Sequence, residues 1–221
     1  MRFLKTLALA LGLYSAAVLA SPTDPKEGVE YVTLPVAQNT DSGKKIEVTE
    51  FFAYYCPHCY SFDPVLAAWV KKQGDNIVFK RIHVSRDENV APQQRLYFTL
   101  EAMGLAEQYH SKVFQAMHVD HNRLKSDDAV FEFADKQGID RKKFADAYRS
   151  FGVAARLRRA ETMMQAYKVD SWPMVAIDGR FITSPAHANQ GTHAAQTDEQ
   201  LHAQAITVMD FVLAKAKAEK K

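Results

Sequence analysis

Cys56 and Cys59 are the two cysteines of the 221-residue chain, and they enclose Pro57 and His58. Two thiols at this spacing can close and reopen a small disulfide, and the thiolate is the species that reacts. The residues between them tune it. A loop this short removes little entropy from the unfolded chain, so the pair is a poor staple and a better redox couple. Zinc is the competing use of two cysteines. Structural zinc commonly takes four ligands from two spaced pairs, and the sequence has no second pair, so no metal site is expected.

Such a couple needs a strand to deliver it and a helix to carry it. Residues 45–53 read as a central strand, and a helix is predicted from the cysteines through Val70, ended by Gly74-Asp75-Asn76. A strand over 77–84 completes a β-α-β unit, preceded by a short strand at Tyr31–Leu34. Helical periodicity then runs without interruption, with helices predicted over 91–103, 106–118, 127–137, 141–150 and 153–167. Gly104, Gly138 and Gly152 are the expected stops, and Ser126 is an expected N-cap. Pro173–Ile177 and Phe181–Thr183 read as a hairpin around Asp178-Gly179. Residues 184–196 read as a polar loop, and Thr197 to Gln200 fits a capping box opening a last helix to about Lys217. The fold class is α/β: a three-layer domain in two parts, 21–90 and 170–221, split by an inserted helical domain over 91–169.

The N-terminus reads as an export signal. Arg2 and Lys5 precede the apolar Leu7–Val18, which is short for a membrane span, and cleavage is predicted after Ala20. Loss of residues 1–20 would take the formal charge from +2 to zero. A balanced surface speaks against nucleic acid as the main partner. Export places the thiols where disulfides form and persist.

This element order, together with Phe51-Phe52-Ala53-Tyr54-Tyr55-Cys56-Pro57-His58-Cys59, resembles the DsbA family of periplasmic thiol:disulfide oxidoreductases, a thioredoxin fold with a helical insertion. The similarity spans essentially the whole chain after residue 20. Ser171-Trp172-Pro173-Met174-Val175 matches the second landmark of that family, a strand opened by a cis-proline. Relatives often carry Val or Thr where this chain has Trp172. The resemblance implies an oxidase that passes its disulfide to reduced or unfolded exported polypeptides. It further implies reoxidation by a membrane quinone-linked partner such as DsbB, with no cofactor beyond the Cys56–Cys59 couple, in a periplasmic monomer. A reductase or isomerase on the same fold is the alternative. Isomerases of this type resemble a catalytic domain with an N-terminal dimerisation domain, and residues 21–30 are far too short for one. A chaperone-like peptide binder is a further alternative, but it leaves the cysteine pair unexplained.

The chemistry assigns roles within the site. Cys56 should lie at the helix N-terminus, where free N–H groups and the helix dipole favour an anion, so it is the nucleophile. Cys59, a turn further in, is the buried resolving thiol. Pro57 costs nothing in a first turn, and His58 can donate to the Cys56 sulfur or place positive charge beside it. Stabilising the thiolate stabilises the reduced protein and makes the disulfide readily donated. Trp172 and Pro173 are expected to face the cysteines and to pair with an extended substrate. Glu50 is either a buried acid that takes a proton from Cys59 or a satisfied strand residue. Its partner is Arg81 or Lys80. Phe52, Tyr55, Tyr60 and Phe62 are read as core, with an apolar substrate rim as the alternative.

The remaining polar clusters are expected to be inert. His118 and His121 have ligand-like spacing but should form a solvated helix end. His187 and His193 lie in the polar loop, and Arg156, Arg158 and Arg159 read as an exposed helix face.

Overall fold

A computed structural model describes residues 24–192 and 196–220. The predicted signal segment, its cleavage point and His193 lie outside them. The elements are β1 (Val32–Thr33), β2 (Ile46–Phe52), α1 (Pro57–Gln73), β3 (Ile77–His83), α2 (Ala91–Ala102), α3 (Ala106–His118), α4 (Asp127–Lys136), α5 (Arg141–Tyr148), α6 (Phe151–Ala166), β4 (Met174–Ile177), β5 (Phe181–Thr183), α7 (Pro185–Ala188) and α8 (Asp198–Glu219). The strands form one mixed sheet in the order β1-β5-β4-β2-β3. β2 pairs in parallel with β3 and antiparallel with β4.

All seven residues of β2 are buried, the polar Glu47, Thr49 and Glu50 among them, because the strand is covered on both faces. Side chains still alternate between faces. Ile46 and Val48 pack with Phe62, Leu66, Trp69, Val208 and Val212, from α1 and α8. Phe51 packs on the other face with Tyr167, Val169 and Met174. Phe52, at the strand end, joins the core of the helices between β3 and β4. That core runs continuously from Phe98, Val113, Phe114 and Phe144 to Tyr54, Cys56 and Cys59. The helical segment therefore packs directly against the redox motif.

Three local expectations are corrected. Gly152 does not stop a helix: Ser150 accepts from the Val153 N–H and caps α6, so Gly152 sits in its first turn. The polar loop contains α7, capped by Ser184. The predicted first strand shrinks to two residues, paired with β5. The β4–β5 turn forms at Asp178 and Gly179, both with positive φ, the geometry of a tight hairpin. Glycine is required at 179 because a Cβ there would run into the Gln38 carbonyl. No helix among the described residues is long and apolar enough to cross a membrane.

Candidate active site

Cys56 is the N-cap of α1, with extended backbone, and its Sγ accepts the Cys59 N–H at 3.3 Å. Pro57 occupies the first turn, where a missing N–H is harmless. Both cysteines are thiols here. They differ sharply in surroundings. Cys56 is pulled down to about 6, chiefly by the Cys59 thiol beside it, then by the amide groups of Cys59 and His58 and by the His58 imidazole, against the effect of burial. Cys59 is fully buried and is pushed far up, first by burial and then by Cys56, with Glu50 adding to the effect. The result is an easily formed anion next to a thiol that holds its proton.

The Trp172–Pro173 peptide is cis, and the Trp172 carbonyl lies 3.5 Å from the Cys56 sulfur. The indole is held between the Tyr55 ring, edge-on at 6.1 Å, and the Arg86 guanidinium, 5.3 Å above it. Trp172 therefore reaches the site through both its backbone and its ring.

Behind the cysteines, Arg81 Nε donates to Glu50 Oε2 at 2.9 Å. Lys80 points the other way, to Glu47 at 2.7 Å and Asp41 at 3.3 Å, as the alternation of β3 demands. Arg81 also reaches Glu107 at 2.7 Å and Asp63 at 3.4 Å. Burial lifts Glu50 to about 7, with Arg81 pulling the other way and Asp63 adding to the rise. Burial also disfavours the Arg81 cation, yet Glu50, Glu107 and Asp63 together hold it above its ordinary value. Asp63 in turn lies 3.1 Å from His110 Nε2.

The residues missed in the sequence surround Tyr54. Its N–H donates to His83 Nε2 at 3.0 Å, its hydroxyl lies 3.1 Å from His110 Nδ1, and its carbonyl is 2.7 Å from His118 Nε2. His118 is therefore not a solvated helix end. It is half-buried against the redox motif, while its expected neighbour His121 stays exposed. A signal for this existed: His110, Phe114 and His118 fall at i, i+4 and i+8, one stripe of α3. Asp63, four residues after Cys59, shares its face of α1 in the same way.

The four aromatics divide by burial. Phe52 and Phe62 are fully buried core, whereas Tyr55 is half-buried and Tyr60 is exposed. Arg156 and Arg159 are paired with Glu101 and Asp41, at 3.0 and 3.5 Å. They line a cavity of about 780 Å³ that reaches Arg81 and Glu107 but neither cysteine. We place the chemistry at the cysteines, since the cavity's cations are already paired with acids. His187 pairs locally with Ser184. Among the described residues, no three His, Cys, Asp or Glu side chains are grouped to hold a metal ion.

Comparison with known proteins agrees with this arrangement. Residues 47–191 match the family model of the DSBA-like thioredoxin domain. The chain is 38% identical over 196 residues to the thiol:disulfide interchange protein DsbA of Burkholderia cepacia, covering 88% of this chain and 92% of that protein. It is 32% identical to the protein of the same name from Pseudomonas aeruginosa PAO1, over 73% of this chain and 77% of that one. The crystal structure of Pseudomonas aeruginosa DsbA superposes with a TM-score of 0.79 at 27% identity, covering 89% of this chain and 97% of that one. With a dithiol at a helix N-cap, a cis-proline beside it and relatives of this kind, the chain belongs to the DsbA-like thioredoxin domain family and is a protein disulfide oxidoreductase.

Proposed function

We propose that the protein donates the Cys56–Cys59 disulfide to reduced, unfolded exported polypeptides. A substrate thiolate attacks the Cys56 sulfur, and the S–S bond breaks with its electron pair leaving on Cys59, which takes up a proton. The substrate is then joined to Cys56 in a mixed disulfide. A second substrate thiolate attacks the substrate sulfur of that bond and expels Cys56 as a thiolate. The substrate has lost two electrons and the enzyme has gained them. A membrane quinone-linked partner of the DsbB kind then removes those electrons, and no cofactor beyond the dithiol couple takes part.

In this reading Cys56 is the nucleophile, Cys59 resolves, Pro57 and His58 tune the thiolate, and Trp172 and Pro173 present backbone to substrate. Glu50, with Arg81, exchanges the Cys59 proton. The protein works as a periplasmic monomer after cleavage behind Ala20, with 21–90 and 170–221 as the redox domain and 91–169 as the insert.

One observation carries the reading: the Cys56 sulfur caps α1 and accepts the Cys59 N–H. An N-cap that holds an anion is stronger than one that holds a neutral thiol, so the reduced form is favoured and the disulfide is given away. Equilibration with glutathione tests it. The expected potential is well above that of a cytosolic reductant, and thiolate absorbance at 240 nm should titrate near 6. A strongly reducing potential would instead assign the protein to the reductase class.

A further inference from the structure

We propose that His118 is a positioning residue of the redox centre, holding the Cys56–Cys59 turn in the geometry that stabilises the Cys56 anion. It comes from the end of α3, outside the strand and helix that carry the cysteines. Its Nε2 lies 2.7 Å from the Tyr54 carbonyl. A carbonyl only accepts, so this nitrogen carries the proton. The same ring stacks on Tyr60, centroids 4.7 Å apart and planes within 3° of parallel.

These two contacts fall on either side of the motif. Tyr54 precedes Cys56 by two residues, and Tyr60 follows Cys59 directly. Tyr60 is tied to the Cys56 backbone directly, and Tyr54 lies inside the turn that the Cys56 N–H closes back onto Ala53. Cys56 donates its N–H to Ala53 at 3.1 Å, and its carbonyl accepts the Tyr60 N–H at 3.1 Å. His118 thus bridges the chain entering the cap and the first turn leaving it. What it fixes is the approach of the Cys59 N–H to the Cys56 sulfur, 3.3 Å in this arrangement.

The bridge matters unequally in the two redox states. In the oxidised protein the S–S bond itself pins the turn. In the reduced protein the anion depends on well-aimed N–H groups, and such charge-assisted bonds weaken steeply when misaligned. Loss of His118 should therefore disfavour the reduced form more than the oxidised one. This inference rests on Cys56 being the nucleophile of the proposed cycle.

The test uses His118→Ala, His118→Gln and His118→Phe in the full-length protein. Gln keeps a donor for the Tyr54 carbonyl, and Phe keeps the stack without the donor. The readouts are Cys56 titration at 240 nm and the equilibrium constant with glutathione. In His118→Ala and His118→Phe the Cys56 titration should move up. The constant for oxidising glutathione should fall roughly threefold to tenfold, the size of one hydrogen bond's net contribution. His118→Gln should recover most of both. Unchanged titration and equilibrium in the Ala and Phe variants, with only an equal loss of melting temperature in both redox forms, would overturn the proposal. So would recovery by Phe and not by Gln. The wild-type titration separates the two claims: a wild-type Cys56 that ionises as an ordinary thiol would remove the nucleophile reading and this inference with it. If the Ala variant does not fold, the Gln and Phe pair decides.

Discussion

Tyr54 donates its backbone N–H to Nε2 of His83, 29 residues away in sequence, at 3.0 Å. That nitrogen must therefore be bare, and His83 is neutral in the folded protein. Burial pushes it down to about 3, with His110 nearby adding to the effect. The segment that leads into the cysteines is anchored to a histidine that cannot take a proton without losing its bond.

This gives a signed acid dependence. The unfolded histidine titrates near ~6.5, so the unfolded chain binds the proton more readily than the folded one. The His83 contribution is complete above that value and is lost as pH falls toward 3. Gln at this position retains an acceptor for the Tyr54 N–H and does not titrate. Between pH 7 and pH 4 the wild type should lose up to about 3 kcal/mol more stability than His83→Gln. Urea unfolding at the two pH values measures the difference, and equal losses would remove His83 as the acid-sensitive group.

The reduced and oxidised proteins should also diverge with pH. Cys56 is lowered to about 6 by the neighbouring Cys59 thiol and the α1 N–H groups, whereas an unfolded thiol titrates near ~8.5. Its stabilisation of the reduced form is present above the unfolded value and is lost as pH falls through about 6. The oxidised form has no thiol to titrate. Melting temperatures of the two forms should therefore shift in favour of the reduced protein from pH 5 to pH 8. His58→Ala, which removes one of the lowering influences, should reduce that shift.

Phe52 and Tyr60 separate packing from surface. The Phe52 ring sits among Tyr54, His83, Tyr97, His110 and Phe114, with centroids 4.9 to 6.0 Å away. Truncating it should cost about 3–5 kcal/mol in both redox forms, as for other buried aromatics. Tyr60 is 37% exposed. Tyr60→Ala should cost about 1 kcal/mol or less and act mainly on the His118 stack. Chemical denaturation of the two variants distinguishes them; similar costs would mean that Tyr60 belongs to the core.

The legible parts of this molecule are those that repeat along the chain. The β-branched and aromatic residues of β2, the helical periodicity of 91–167 and the C-x-x-C after a strand each encode their geometry locally. Pro173 and Trp172 are legible through resemblance to a known family. Illegible were contacts made across elements. Asp63 looks like an ordinary helix-surface acid, yet it is 6% exposed and faces Arg81 and His110. His118 looks like a terminus because its partner, a backbone carbonyl 64 residues away, leaves no mark in composition. Gly152 looks like a stop because glycine ends helices more often than it begins them, and Ser150 overrides that preference by capping.

Arg81 and Glu50 supply the last prediction. Arg81 is the buried cation for Glu50 and Asp63, and its third partner Glu107 is mostly exposed. Arg81→Met leaves two buried carboxylates without their cation, an arrangement that costs about 3–5 kcal/mol. The cost should depend on pH. Glu50 is raised to about 7, above its unfolded value, so its contribution is full below the unfolded value and is lost as pH rises through about 7. Without Arg81 the opposing attraction disappears and Glu50 rises further. At pH 5 it is then protonated and tolerates burial, while at pH 8 it is forced toward a buried, unpaired anion. Urea unfolding should show a larger penalty for Arg81→Met at pH 8 than at pH 5. Adding Glu50→Gln should return part of the loss at pH 8 and little at pH 5. A penalty of the same size at both pH values, untouched by the second substitution, would mean that Arg81 is held in place by Asp63 and not by Glu50.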